Sequence, residues 1–206
     1  MVAGEQYLGH PAPRIHLRPR VMRTVQQPVR ERILSRGVGV PKHPGFEAGD
    51  GVRLHGWMCT PRHAEGISGD MVLLWFHGNA GNLSHRTELM FRLADIPARV
   101  FIMDYRGYGR SEGKPSEEGL YLDARAAWQY LVGERRVSPN RIVLFGKSLG
   151  GAVAIDLAAD TDPAGIIVQS SFTSIPDMAA RHFPFVPKAL VRTKMDSLSK
   201  IAGVKA

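Results

Sequence analysis

Phe145-Gly146-Lys147-Ser148-Leu149-Gly150-Gly151 decides how this chain is read. The stretch has the form Gly-x-Ser-x-Gly and lies between an apolar segment, Arg141–Phe145, and a small-residue segment, Gly150–Ala159. The first is expected to be a buried strand and the second a helix. A serine on so sharp a strand-to-helix turn holds its hydroxyl out at the carboxyl edge of a sheet. Glycines flank it because side chains there would clash within the turn. A helix starting at that serine also aims its free N–H groups at developing negative charge. Ser148 is therefore the candidate nucleophile, and the N–H of Leu149, the next residue, is a candidate oxyanion donor.

Outward from this turn the chain alternates. Met71–Phe76 is a continuous apolar run, suited to a strand covered on two faces, and Arg99–Met103 is a second buried-strand candidate. Gly165–Gln169 is a further strand candidate. Asn82–Ile96 and Ser116–Arg135 carry apolar residues at helical spacing, the second with Ser116 as N-cap and Glu117 and Glu118 in its first turn. Val52, Leu54 and Gly56 alternate with Arg53, His55 and Trp57, which predicts an early half-buried strand. Short helices are expected over Ser174–Phe183 and Lys188–Ser197. Strand–helix alternation at this spacing implies an α/β fold around a parallel sheet.

Two more motifs follow strand ends. Phe76-His77-Gly78-Asn79-Ala80-Gly81-Asn82 is a glycine-containing turn that can present N–H groups to an oxyanion, with Asn79 the first choice as donor. His77 reads as a residue that shapes this turn. Asp104-Tyr105-Arg106-Gly107-Tyr108-Gly109 reads as a loop beside it, in which Asp104 pairs with loop N–H groups or with Arg106.

Taken together, these motifs resemble the α/β-hydrolase superfamily. More narrowly, Phe76–Asn82, Gly113-Lys114-Pro115-Ser116-Glu117-Glu118-Gly119-Leu120-Tyr121-Leu122-Asp123 and Gly146–Ala154 resemble its bud-emergence-type branch, which includes membrane-anchored serine hydrolases. Ser171-Phe172-Thr173-Ser174-Ile175 and Asp196-Ser197-Leu198-Ser199-Lys200-Ile201 are similar to the same pattern. The resemblance spans about residues 50–206 and implies a mostly parallel sheet with helices on both faces. It also implies a hydrolase of carboxylic esters or thioesters that forms an acyl-enzyme on Ser148, with Asn79 and Leu149 at the oxyanion hole and no cofactor or metal. In that superfamily the acid and the histidine come after the serine. His182 is the one histidine after Ser148, and Asp177 with His182 is the internal pairing to weigh. Both sit in a short segment away from the expected strand ends. The chain is accordingly expected to lack the last strands with their acid and histidine, to be nearly inactive, and to leave Gly165–Gln169 as an exposed sheet edge. A non-catalytic binding or scaffold protein on the same fold is the alternative.

Composition narrows the remaining classes. Of 206 residues, 44% are hydrophobic and 22% charged, enough for one domain with a core. One cysteine, Cys59, excludes an internal disulfide framework. The longest apolar run, Met71–Phe76, has six residues against the roughly 20 a membrane-spanning helix needs. Of the net charge of +8, +5 falls in residues 1–40. Residues 1–45 are expected to be a basic, proline-rich and poorly ordered arm, and 46–206 the folded domain. The arm suits solvent or peripheral contact with an anionic lipid surface. With no helix-turn-helix, zinc pattern or aromatic interleaving, no nucleic-acid partner is expected. The expected partner is a small acyl-ester or acyl-thioester substrate, and the expected compartment is the cytoplasm, with membrane association the alternative.

Overall fold

The computed structural model describes Lys42 and residues 44–61, 71–182, 185, 187 and 190–205. Residues 1–41 and 43 of the expected arm lie outside the described residues. Among the described residues six strands form one sheet: β1 (Gly45–Glu47), β2 (Arg53–Cys59), β3 (Val72–Phe76), β4 (Arg99–Asp104), β5 (Ile142–Lys147) and β6 (Gly165–Gln169). Their order is β1-β2-β4-β3-β5-β6. β1 and β2 pair antiparallel, as do β2 and β4, while β4, β3, β5 and β6 run parallel. The sheet is thus mixed and mostly parallel.

Strand periodicity splits the core in two. Val72, Leu74 and Phe76 of β3 join Phe101 and Met103 of β4 on one face. That face is covered by α2 (Glu117–Gln129) through Leu120, Ala124 and Ala127, and by α3 (Leu149–Asp160) through Val153, Ala154 and Leu157. Leu73 and Trp75 meet Val100, Ile102 and Phe145 on the other face, under Met90 and Phe91 of α1 (Thr87–Leu93). With helices on both sides, all five residues of β3 are buried. β2 departs from the expected alternation: Leu54 through Cys59 are all buried, because both faces are covered, Leu54 and Met58 joining one core cluster and Trp57 and Cys59 the other. β6 is the outermost described strand on its side, and its Ile167 is 52% exposed.

The helix expected from Asn82 opens as a 3-10 turn, Leu83–Arg86, in which the Asn82 carboxamide accepts the Ser84 N–H at 3.0 Å. α2 is capped by Ser116, whose hydroxyl accepts the Gly119 N–H at 3.1 Å, and it widens into a π-turn over Tyr130–Glu134. Tyr130 there stacks on Phe46, with ring centroids 5.5 Å apart. α4 is Ile175–His182. The helix expected over Lys188–Ser197 is not formed at residues 191–196. It sits later, as α5 (Ser197–Ile201), capped by Asp196. The reason lies in α2: the Glu117 carboxylate accepts the Lys194 and Met195 N–H groups at 2.6 and 2.7 Å, and holds this stretch out of a helix. No helix among the described residues is long and apolar enough to cross a membrane.

Cys59 is 4% exposed at the end of β2, and burial pushes its thiol up to about 12. The thiolate is the reactive form. Cys59 should therefore not react with Ellman's reagent at pH 8 in the native protein and should titrate fully in concentrated denaturant. Rapid native labelling would contradict this packing.

Candidate active site

The carboxyl ends of β4, β3 and β5 lie side by side, since Trp75 is in register with Ile102 and Phe76 with Gly146. All three motifs therefore meet at one edge of the sheet. Ser148 stands between β5 and α3 with φ 54° and ψ −117°, a left-handed backbone for a residue other than glycine. Strain of this kind costs about 1–3 kcal/mol and persists only where the surroundings over-determine it. Here they do. The Ser148 N–H donates to Gln169 O at 2.9 Å, and Ser148 O accepts the Gly151 N–H at 2.9 Å and the Ser171 hydroxyl at 3.0 Å.

The two flanking glycines have no room for a side chain. A Cβ on Gly146 would meet the Gly150 oxygen and lie 2.6 Å from Gly151 Cα. One on Gly150 would press on the Phe76 carbonyl and lie 2.8 Å from His77 O. The turn after β3 also comes up against the serine, since a Cβ on Gly78 would be 3.5 Å from Ser148 Cβ. Leu149 begins α3, so its N–H is one of the helix's unbonded N-terminal donors.

Asn79 is exposed on the turn beside Ser148. Its side-chain oxygen accepts the Tyr108 hydroxyl at 2.5 Å. Arg86 donates through Nη2 to Gly78 O at 3.4 Å and to Ala80 O, and so grips the turn on either side of Asn79. A cavity of about 540 Å³ opens here, with Ser148, Asn79, His85, Arg86, Arg92 and Lys147 among its lining.

His77 is fully buried. Its Nδ1 lies 2.8 Å from Gly78 O and its Nε2 3.6 Å from Asp104 Oδ1, and its ring packs on Tyr105 at 4.8 Å. Asp104 accepts the Leu83 N–H at 2.8 Å, as expected of a loop-pairing carboxylate. It does not pair with Arg106. That guanidinium instead bridges Asp50, at 2.7 and 3.0 Å, and the buried Asp123, at 2.8 and 2.9 Å. Burial pushes the Asp123 carboxyl up against the pull of Arg106, while the bond to Arg106 holds Asp50 below the usual carboxylate range.

Asp177 accepts a hydrogen bond from Thr173 at 3.0 Å, and His182 is exposed at the end of α4. Neither lines the cavity at Ser148. Among the described residues, no hydrogen bond joins the Ser148 hydroxyl to a histidine. Tyr108, Arg86 and Ser171 are the supports that sequence reasoning missed. Tyr108 stood inside a quoted motif, but its partner is 29 residues away and leaves no local signal.

The profile of the family described as serine aminopeptidase, S33, matches residues 68–202. An uncharacterized protein of Mycobacterium tuberculosis, Rv2307c, is 45% identical over 161 residues, covering 78% of this chain and 56% of the relative. Protein bem46 of Schizosaccharomyces pombe is 45% identical over 118 residues, 55% of this chain and 39% of that protein. The chain thus spans about half the length of the curated relatives it matches. An α/β hydrolase from Vibrio vulnificus superposes with a TM-score of 0.72 at 22% identity, covering 88% of this chain and 65% of that one. Esterase Pf2001 of Pyrococcus furiosus gives 0.62 at 22% identity, covering 77% and 62%.

Proposed function

This chain belongs to the serine aminopeptidase S33 family and, within the α/β-hydrolase superfamily, to the bem46-type branch; from that premise we propose that it carries the nucleophile and oxyanion hole of a serine hydrolase acting on carboxylic esters or thioesters. The observation that carries the reading is the left-handed backbone of Ser148 at the head of α3, with glycines packed to contact around it. The Ser148 oxygen attacks the substrate carbonyl. Negative charge gathers on the carbonyl oxygen and is met by the Leu149 N–H and by Asn79, which Tyr108 and Arg86 hold in place. Collapse expels the alcohol or thiol and leaves an acyl group on Ser148, which water removes.

A base is needed to take the Ser148 proton. We assign it to none of the described residues. These 206 residues by themselves should then turn over slowly, since nucleophile and oxyanion hole without the full triad retain only about 10³–10⁴ over water. That no histidine among the described residues bonds Ser148 also supports, as the second reading, a binding protein on the hydrolase fold.

Hydrolysis of p-nitrophenyl acetate and of an aminoacyl p-nitroanilide by the wild type and Ser148→Ala separates these readings. The expected result is slow ester hydrolysis, lost in Ser148→Ala, with less on the anilide. Equal rates in both proteins would remove Ser148 from the chemistry and favour the binding protein. Turnover above about 1 s⁻¹, within the ordinary enzyme range, would demand a base from residues present here, with Asp177 and His182 the first to substitute.

A further inference from the structure

We propose that the cavity beside Ser148 is an anion subsite, which takes a carboxylate or phosphate group carried by the substrate. The inference rests on the reading of Ser148 as nucleophile only in placing that group on the substrate rather than on a separate ligand. Arg86, Arg92 and Lys147 line the same cavity as Ser148. Among the described lining residues, Glu88 is the one carboxylate against these three cations.

Cations scattered over a surface signify little, since each finds water or a nearby carboxylate. These three differ in place and in partners. They share one concavity with the candidate nucleophile, where walls of low dielectric concentrate their field. Arg92 and Lys147 make no ion pair among the described residues. Arg86 spends Nη2 on the carbonyls of Gly78 and Ala80, which leaves its charge uncancelled. Its Nε is buried with no hydrogen-bond partner among the described residues. The cavity's other walls include Trp75 and Leu89. A short apolar stretch could therefore pack between the reacting carbonyl and the anion.

Arg86 also braces the turn that holds Asn79, so it is left intact in the test, and the exposed Arg92 and Lys147 are substituted instead. The Ser148→Ala protein binds without turning over, so calorimetry on it reads affinity alone. The ligands are monoethyl succinate, 2-acetoxyethyl phosphate and neutral ethyl valerate at one ionic strength. At least one anion should bind about tenfold more tightly than the neutral ester, each exposed cation contributing a few-fold. The tighter of the two identifies carboxylate or phosphate. In Arg92→Gln/Lys147→Gln on the same background, the preference should fall to within about twofold, with the affinity for ethyl valerate unchanged. Equal binding of all three ligands, no measurable binding of either anion, or a preference that survives the double substitution would overturn the subsite. Anion selectivity in a protein whose Ser148 proves inert would keep the subsite and remove only the nucleophile reading.

Discussion

Gly150→Val should melt well below the wild type. A Cβ at Gly150 would lie 2.5 Å from the Phe76 carbonyl carbon and 2.8 Å from His77 O. These are backbone atoms of β3 and of the turn after it, so no rotamer change relieves the contact. α3 would have to lift from the sheet, and its Val153, Ala154 and Leu157, all buried, would lose their packing. Overpacking against backbone sits at the upper end of the usual range, about 3 kcal/mol, which for a chain of this size lowers Tm by about 6–12 °C. The branched side chain adds to that, against a total stability of about 5–15 kcal/mol. Gly146→Val should behave alike. Gly49→Ala is the control, because nothing lies within 4 Å of a Cβ there. It should stay within about 0.5 kcal/mol of wild type. Thermal unfolding of the three proteins checks this. Wild-type Tm in Gly150→Val would mean that the elbow packs in another way.

Arg106→Leu should cost about 3–5 kcal/mol, because it leaves a buried carboxylate without its cation. Asp123 is 0% exposed and accepts both the Arg106 N–H, at 2.7 Å, and the Arg106 side chain. Asp50, on the other side of the same guanidinium, has a side chain 39% exposed. Asp50→Ala should therefore cost only about 0.2–1 kcal/mol. Arg106→Leu combined with Asp123→Leu should recover part of the loss, since replacing a buried pair by apolar groups is often close to neutral. Denaturant unfolding of the three variants against the wild type gives these values. A loss below about 1 kcal/mol in Arg106→Leu would mean that water reaches Asp123.

The parallel part of the sheet was legible because its strands are buried on both faces. Continuous apolar runs such as Met71–Phe76 have no other use in a chain this short on membrane-length segments. The elbow was legible for a similar reason: backbone contact at Gly146 and Gly150 admits only glycine, and the demand leaves a local pattern. What escaped depends on distant partners. Packing on both faces of the sheet, rather than local spacing, buries every residue of β2 after Arg53. Glu117 sets the backbone at Lys194 and Met195 across 77 and 78 residues, and no local periodicity could report it. Arg106 had a carboxylate two residues away in Asp104, yet it bonds Asp50 and Asp123, because Asp104 turns to the Leu83 N–H. Around Ser148 the motifs identified the turns. The supports from Tyr108 and Arg86 emerged only once those turns were packed together.

The most direct test of Ser148 as nucleophile is covalent capture. The protein is incubated with excess fluorophosphonate, digested, and the adduct located by mass spectrometry. A single phosphonyl group should appear on Ser148, slowly, because no described residue is assigned to take its proton, and Ser148→Ala should carry none. An adduct on another residue, or equal labelling of Ser148→Ala, would contradict the account.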